Sequence, residues 1–453
     1  MKSPRLRAAT VLLMVLAVLP IAAQQGSPSS AHWPQWRGPS GNGVATGTPP
    51  VKWTDTTNVA WKVEIPGRGH STPVTWGNRI FLTTAIPTGK GTPAQETTDA
   101  GRGPGGGAGG GQEHEFIVMA LDRLTGKTLW CRTALVATPH EGYHRVYGSF
   151  ASNAPVTDGT RVYASFGSRG LYAYDLDGTL IWKKDFGIRM KMRLQFGEGA
   201  ATVLHGDRLF AIFDHQEEGL LAAVDAATGR ELWRVVRNEG SSWSSPVVVE
   251  YQGKRQVVVT ATPRAMAYDY DTGKLVWEVS GLGLNPIPLP VQQRDIVFVM
   301  SGYRDPKLMA IRLGRTGDLT GTDAVVWETT RGLSYTPSPV LLDGKLYLLT
   351  DNGQVSCVDA ATGTPYYQQA RLPMPYNFKA SPIAAGGRLY LASEEGDVIL
   401  LSLGERFEVV GTNTLTDQSF IASPVVAGND LYLRSRTHLF RITGPSTTSG
   451  AEE

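Results

Sequence analysis

Cysteine is almost absent from this chain of 453 residues, and charged residues are few. Only Cys131 and Cys357 occur, at different repeat positions, so we expect no disulfide and a fold held together by packing. Charged residues make up 19% of the chain, the formal net charge is +2, and no basic block is present, which excludes a nucleic-acid partner. No apolar run reaches the roughly 20 residues that a membrane-spanning helix needs, so no transmembrane span is expected in the mature chain.

The N-terminus has the pattern of a secretory signal. Basic residues between Lys2 and Arg7 precede an apolar run over 8–23, which ends on small residues. This pattern predicts a cleaved signal peptide over 1–23, with an uncleaved anchor as the alternative, and therefore a periplasmic or extracellular location. No cysteine follows the apolar run, so we expect no lipid-anchored N-terminus.

What the chain does contain is one string of residues that recurs. It reads A-L-D-R-L-T-G-K-T-L-W at 120–130, A-V-D-A-A-T-G-R-E-L-W at 223–233 and A-Y-D-Y-D-T-G-K-L-V-W at 267–277. A string that returns in this way is typical of a repeat architecture. Its Asp can accept hydrogen bonds within a turn, its Gly can take a positive φ, and its Trp can seal the seam between neighbouring sheets.

Each copy lies in a unit of four predicted strands. The first strand begins at a small residue followed by Pro, as in Ser338-Pro339-Val340. Alternating residues and turn signals at this spacing predict an all-β, eight-bladed β-propeller of four-stranded antiparallel sheets. The chain's first strand, near residue 58, completes the last unit and closes the ring, which removes two sheet edges. The fifth unit is degenerate, with Arg312 in place of the Asp, so seven blades is the alternative.

The propeller is predicted over 58–443. We expect an irregular segment over 24–57, a disordered Gly-rich insertion over 88–112 and a disordered tail over 444–453. Contacts between blades are expected at the Asp, Gly and Trp positions of the repeats: Asp122, Gly126, Trp130, Asp175, Trp182, Asp225, Gly229, Trp233, Asp269, Gly273, Trp277, Asp359 and Gly363.

The irregular segment contains W-P-Q-W-R-G-P at 33–39. Two Pro and a Gly exclude a regular helix or a central strand here. We expect the segment to lie across the body with its indoles buried, and the alternative is an aromatic side chain that faces a ligand.

The recurring string resembles the tryptophan-docking motif of eight-bladed propellers related to dehydrogenases that depend on pyrroloquinoline quinone (PQQ). From about 33 to 442 the chain is similar to PQQ-like repeat proteins, which include the BamB-type outer-membrane assembly factors. The resemblance implies either a noncatalytic envelope scaffold or an alcohol or sugar dehydrogenase that binds PQQ and calcium at the mouth of its channel.

The dehydrogenases of this group typically carry adjacent cysteines, and some carry a C-x-x-C-H haem motif; this chain has neither. No calcium-ligand set can be matched to it either. The sequence therefore favours a noncatalytic binding or scaffold module, with no catalytic residue assigned. A carbohydrate- or polymer-binding propeller is a further alternative.

Residues ahead of each first strand converge around the axis at one end of a propeller, and we predict a binding site there. The predicted lining is Arg68, His70, Glu198, Trp243, Tyr335, Asn377 and Lys379. The occupant is either a small anionic ligand or protein segment, or only water in a solvated rim. His140 and His144 are close in sequence and are the candidate metal ligands. We expect a monomer that meets a protein partner or small ligand at this mouth.

Overall fold

The computed structural model describes residues 31–92 and 107–444. Within them the chain forms eight β-sheets, one for each blade, so the predicted eight-bladed propeller is confirmed and the seven-blade alternative is wrong. The predicted signal peptide and residues 445–453 of the predicted tail lie outside the described residues. In the ranges described, no helix has the length and apolar character required to cross a membrane.

The strands follow one another blade by blade. The opening strand is β1 (Val59–Glu64). Blade one contains β2 (Val74–Trp76), β3 (Arg79–Gly91), β4 (Gln112–Asp122) and β5 (Thr128–Ala137). Blade two contains β6 (Val156–Thr157), β7 (Arg161–Ser165), β8 (Leu171–Asp175) and β9 (Leu180–Lys184). Blade three contains β10 (Val203–His205), β11 (Arg208–Phe213), β12 (Gly219–Asp225) and β13 (Glu231–Arg237). Blade four contains β14 (Val247–Tyr251), β15 (Lys254–Thr260), β16 (Arg264–Asp269) and β17 (Leu275–Ser280).

The remaining blades repeat this order. Blade five contains β18 (Val291–Gln293), β19 (Ile296–Ser301), β20 (Lys307–Arg312) and β22 (Val325–Thr329), with β21 (Gly317–Asp318) in the loop before β22. Blade six contains β23 (Val340–Leu342), β24 (Lys345–Leu349), β25 (Gln354–Asp359) and β26 (Pro365–Arg371). Blade seven contains β27 (Ile383–Ala385), β28 (Arg388–Ala392), β29 (Asp397–Ser402) and β30 (Val409–Thr414). Blade eight contains β31 (Val425–Ala427), β32 (Asp430–Arg434) and β33 (His438–Ile442). Single 3₁₀ turns cover Gly167–Arg169 and Arg193–Gln195.

Blade eight is completed by the start of the chain. β1 pairs antiparallel with β33, with Val59 opposite Ile442. The backbone N–H of Thr443 donates to the carbonyl of Asn58 at 2.9 Å. The two ends of the propeller therefore share one sheet, and the predicted ring closure is confirmed.

The recurring string forms the contact between one blade and the next. Asp225 accepts hydrogen bonds from the backbone N–H and the hydroxyl of Thr228, at 2.8 and 2.7 Å. Gly229 has φ +73°, and the Trp182 ring of the preceding blade lies 2.8 Å from where a Cβ would stand. The Trp182 indole N–H donates to the carbonyl of Ala226 at 3.1 Å. Indoles cover turn glycines in the same way at Trp61, Trp130, Trp233 and Trp327.

Trp277 is an exception to the expected arrangement. Its indole N–H donates to Gln256 of its own blade, at 2.9 Å, and not to a turn of blade five. Blade five lacks the Asp-Thr-Gly turn that would receive this indole. Its loop instead supplies β21, which pairs parallel with β17 at Trp277, and the Leu319 N–H donates to the Glu278 carbonyl at 2.8 Å. Blade four therefore has a fifth strand where the sequence predicts four.

The small residues that precede Pro at the start of the first strands make a second set of contacts, close to the axis. The Ser338 N–H donates to the Ser381 hydroxyl at 2.9 Å, and the Ser381 N–H donates to the Ser423 hydroxyl at 3.1 Å. The Ser423 N–H in turn donates to the Thr72 hydroxyl at 3.1 Å. These buried groups satisfy one another across four blades, which gives the hydroxyl residue ahead of the Pro in these blades a physical role.

The W-P-Q-W-R-G-P segment lies against the inner strands. Trp33 is buried and pairs with Thr75 of β2, as expected for this segment. The buried Arg37 guanidinium donates to the carbonyls of Pro339 and Pro382, at 2.8 and 2.5 Å. The segment therefore contacts blades one, six and seven and ties them together on the axis side.

The Gly-rich insertion is shorter than we expected. Residues 88–91 belong to β3, and Ala108 forms a bridge with Tyr143 just before β4 begins. Residues 93–106 of the insertion lie outside the described residues. The prediction of a disordered loop over the whole of 88–112 is therefore wrong at its two ends.

Candidate functional site

A cavity of about 460 Å³ opens at one end of the propeller axis. The segments that lead into the first strands of all eight blades contribute to its wall. One lining residue from each blade, in order, is Thr72, Ala154, Ala201, Trp243, Ile287, Thr336, Lys379 and Ser423. The cavity therefore lies where the topology predicts a binding site, at the mouth of the channel.

Most of the predicted lining residues reach this cavity: His70, Glu198, Trp243, Tyr335 and Lys379. Arg68 and Asn377 do not. The Arg68 guanidinium donates to the carbonyls of Gly148 and Arg145, at 2.9 and 2.7 Å, so it holds a loop in place. The Asn377 amide donates to the Glu395 carboxylate at 2.8 Å.

The sequence analysis missed several aromatic lining residues, namely Trp36, Tyr147, Phe196 and Tyr303. Trp36 comes from the W-P-Q-W segment and donates its indole N–H to the Ser423 hydroxyl at 3.3 Å. Trp33 is buried, which agrees with the expectation that the indoles of this segment pack against the body. Trp36 faces the cavity, which agrees with the alternative of a ligand-facing aromatic side chain. The other three lie in loops without a repeat signal, so nothing in the pattern marks them.

Aromatic rings form one part of the wall. Tyr303 stacks on Tyr335 with ring centroids 5.1 Å apart. The Trp243 indole N–H donates to the Gly197 carbonyl at 2.7 Å, and its ring lies 6.4 Å from that of Phe196. Because the protein itself satisfies the indole N–H groups of Trp243 and Trp36, these side chains offer the cavity mainly carbon atoms.

The charges of Lys379 and Asp351 at the wall are paired within the protein. The Lys379 ammonium lies 2.8 Å from the Asp351 carboxylate and 3.6 Å from that of Glu394. It also lies 4.5 Å above the centre of the Tyr147 ring. Burial lowers the pKa of Lys379, but the Asp351 and Glu394 carboxylates outweigh burial, and the net shift of the pKa is upward. Lys379 is therefore a charged residue whose counterions are already present.

Glu198 is engaged on both of its oxygens. The Ser168 backbone N–H donates to one oxygen at 2.6 Å, and the Ser168 hydroxyl donates to the other at 2.5 Å. Burial raises the pKa of Glu198 to about 7, although the hydrogen bonds from Ser168 oppose the shift, and the nearby Glu141 raises the pKa further. At neutral pH this carboxyl is only partly ionised, so it is a weak candidate for a cation ligand.

His70 presents a polar atom that has no partner. Its side chain is 7% exposed, and its Nε2 makes no hydrogen bond to any residue in the described ranges. Burial lowers the pKa of His70 well below its usual range, and the charges of Arg68 and Arg434 lower it further. A backbone hydrogen bond at Gly148 opposes this shift but does not cancel it, so the imidazole is neutral at pH 7. Its unpartnered Nε2 is enclosed by protein atoms and not exposed to the cavity.

His140 and His144 line different cavities and do not form one metal site. His140 Nε2 lies 2.7 Å from the Met190 carbonyl, and His144 Nδ1 accepts the Tyr147 N–H at 3.2 Å. Over 31–92 and 107–444, no three His, Cys, Asp or Glu side chains are grouped so as to hold a metal ion.

The cavity wall does not fit PQQ with calcium. Calcium takes about six to eight oxygen ligands, and the carboxylates at this wall, Glu198 and Asp351, are already held by Ser168 and Lys379. Cys131 lies exposed on β5, and Cys357 lies buried inside blade six, so neither stands beside the cavity.

Known proteins match the chain in sequence. A family model described as "Outer membrane protein assembly factor BamB" matches residues 114–219, 217–319 and 312–406. The chain is 27% identical over 221 residues to a protein of that name from Shewanella oneidensis, which covers 45% of this chain and 53% of the relative. It is 25% identical over 280 residues to the one from Moranella endobia, which covers 56% and 63%. The matches thus span less than two thirds of either curated relative.

Solved structures match the fold. The crystal structure of BamB from Moraxella catarrhalis aligns with a TM-score of 0.53 at 15% identity, over 80% of this chain and 98% of that one. The quinohemoprotein alcohol dehydrogenase from Comamonas testosteroni aligns with a TM-score of 0.62 at 11% identity, over 93% and 82%. At these identities the likeness shows the propeller alone. The family model matches most of the propeller, and the repeats agree with it. This chain therefore belongs to the PQQ-like repeat β-propeller family, whose model is described as outer membrane protein assembly factor BamB.

Proposed function

We propose that the protein is an exported, noncatalytic binding propeller of the cell envelope that assists the assembly of outer membrane proteins. The observation that carries the proposal is the family match at residues 114–219, 217–319 and 312–406, which covers blades two to six and part of blades one and seven. Both sequence relatives named above are outer membrane assembly factors. The predicted signal peptide over 1–23 supports a periplasmic location.

The chemistry of the axial cavity favours binding over catalysis. A catalytic centre needs a nucleophile or base within reach of a partner that activates it. Here Lys379 is neutralised by Asp351, Glu198 is held by Ser168, and His70 has no carboxylate partner among the described residues. The wall is therefore suited to receive a ligand or a protein segment rather than to transform one.

Deletion of the gene in the source organism tests the proposal. We expect outer membrane β-barrel proteins to fall in abundance in the deletion strain, while a soluble periplasmic protein, measured as the control, stays constant. A plasmid copy of the full chain should restore the β-barrel proteins, and a copy without residues 1–23 should not, because it would not be exported. Unchanged β-barrel proteins in the deletion strain would refute the assembly role.

A further inference from the structure

We infer that the axial cavity binds an uncharged aromatic ring. Such a ring can come from a peptide side chain or from a free small molecule, and the chemistry is the same in both cases. The inference deepens the proposed binding function and rests on it. Three features of the cavity support it: the aromatic side chains of the wall, the pairing of its lysine and the apolar rim.

The wall has the character of an aromatic-binding pocket. Trp36, Trp243, Phe196 and the stacked pair of Tyr303 and Tyr335 surround the space. Its volume of about 460 Å³ lies in the range of cavities that enclose small ligands, about 300–1,000 Å³. Aromatic rings pack on other rings through offset or edge-to-face contacts, which this wall can supply from several sides.

The charges argue for a neutral occupant. Lys379 is the ammonium group at the wall, and Asp351 and Glu394 already neutralise it. A buried charge is costly unless it meets an unpaired opposite charge, and the deep wall offers none among the described residues. Arg193 lines the cavity beside the exposed Leu194, so an anionic ligand would have to bind there. An anionic probe is therefore the contrast to the neutral ones.

The rim of the cavity is apolar and strained at one point. Leu194 has φ +54° and the next residue, Gln195, has φ +52°. A bulky residue in the left-handed region is unusual, and such strain occurs preferentially at functional sites. Leu194 is 51% exposed, and Tyr147 and Tyr303 are also exposed large apolar residues of this lining. A ligand in the cavity would cover these side chains.

Isothermal titration of the purified full-length chain tests the inference. The probes are N-acetyl-tryptophanamide, the peptide Gly-Gly-Trp-Gly-Gly, indole-3-propionate and cellohexaose. We expect saturable one-to-one binding of the two neutral indoles and weaker binding of the anion and the sugar. Tighter binding of the peptide than of the amide would identify a peptide as the source, and equal binding a small molecule. No binding of either neutral indole, or tighter binding of the anion or the sugar, overturns the inference.

The rim is tested with a matched pair of variants. Leu194→Ala should weaken binding of N-acetyl-tryptophanamide by about threefold, because a covered apolar side chain is lost. Leu275→Ala removes a leucine of nearly the same exposure, 52% against 51%, on the outer strand of blade four, and should not change binding. Equal effects would refute a role for the rim. If no probe binds while deletion of the gene still lowers β-barrel proteins, the inference fails and the proposed function stands.

Discussion

At the scale of the residue, the contact between blades rests on glycines that an indole covers. Gly273 has φ +71°, and a Cβ there would lie 2.7 Å from the Trp233 ring. Gly253, in the same blade, has φ +72° and nothing within 4 Å of its Cβ position. The two glycines therefore share the backbone strain of a substitution but differ in the indole contact.

We predict that Gly273→Ala destabilises the protein more than Gly253→Ala. Both variants should lose about 1 kcal/mol from the left-handed backbone, and Gly273→Ala should lose a further 1–3 kcal/mol or so because the indole must move. The measurement is the free energy of unfolding from urea titrations of the two variants. An equal loss would show that the indole contact contributes nothing.

Glu198 predicts a pH dependence of stability. Its pKa is raised from the ordinary 4.5 to about 7 in the folded protein because the carboxyl is buried. The protonated form is therefore favoured by folding, so the stability that this group contributes is present below pH 4.5 and is lost as the pH rises to about 7. The loss is at most about 3.5 kcal/mol, from about 1.4 kcal/mol for each pH unit.

Glu198→Gln should remove this dependence, because an amide does not ionise. Relative to the unaltered protein, the variant should gain unfolding free energy as the pH rises from about 5 to about 8. The gain should be up to about 3 kcal/mol. The exposed Glu64→Gln is the control for the exchange of a carboxylate for an amide at the surface. A difference that does not change with pH would contradict the raised pKa.

At the scale of the element, β21 compensates for a missing turn. Blade five cannot receive Trp277, and the loop that contains β21 covers this tryptophan while the Leu319 side chain is buried beside it. Leu319→Ala should cost about 2–4 kcal/mol of unfolding free energy, as for other buried leucines. Leu129→Ala, an exposed leucine on β5, should cost less than about 0.5 kcal/mol. A loss for Leu319→Ala as small as that of the control would refute a structural role for β21.

The elements show why prediction succeeded in one place and failed in another. The recurring Asp, Gly and Trp specify a turn and an indole contact that are local in space, so copies such as 223–233 predict a blade wherever they occur. Blade five keeps Trp327 but has lost its turn, and no local signal says that a short parallel strand replaces it. The fifth strand of blade four depends on a pairing between residues 277 and 317, which are far apart in sequence.

The same reasoning applies to the site. The position of the cavity follows from topology alone, since all first strands surround one axis, and the structure places His70, Trp243 and Lys379 at its wall. The direction of side chains in irregular loops does not follow from topology. For this reason the sequence misplaced Arg68, which turns to its neighbouring loop, and missed Tyr303 in a loop between the second and third strands of blade five.

At the scale of the whole molecule, the start of the chain closes the ring. β1 supplies the fourth strand of blade eight, and Arg37 ties blades six and seven. A chain that starts at Ile65 should therefore expose the edge of β33 and aggregate, and a synthetic peptide of residues 31–64 should restore a soluble monomer. Size-exclusion chromatography with light scattering measures this. A truncated chain that stays monomeric with the original melting temperature would contradict the closure.

We propose that this propeller binds rather than catalyses, although its fold resembles that of a quinohemoprotein alcohol dehydrogenase. The most direct measurement is the melting temperature of the purified protein with PQQ and Ca²⁺ added together, with Ca²⁺ alone as the reference. A ligand that binds the native state must stabilise it. Our account predicts an unchanged melting temperature, because the wall offers no free carboxylate set for the cation; a rise of several degrees that requires both PQQ and Ca²⁺ would contradict it.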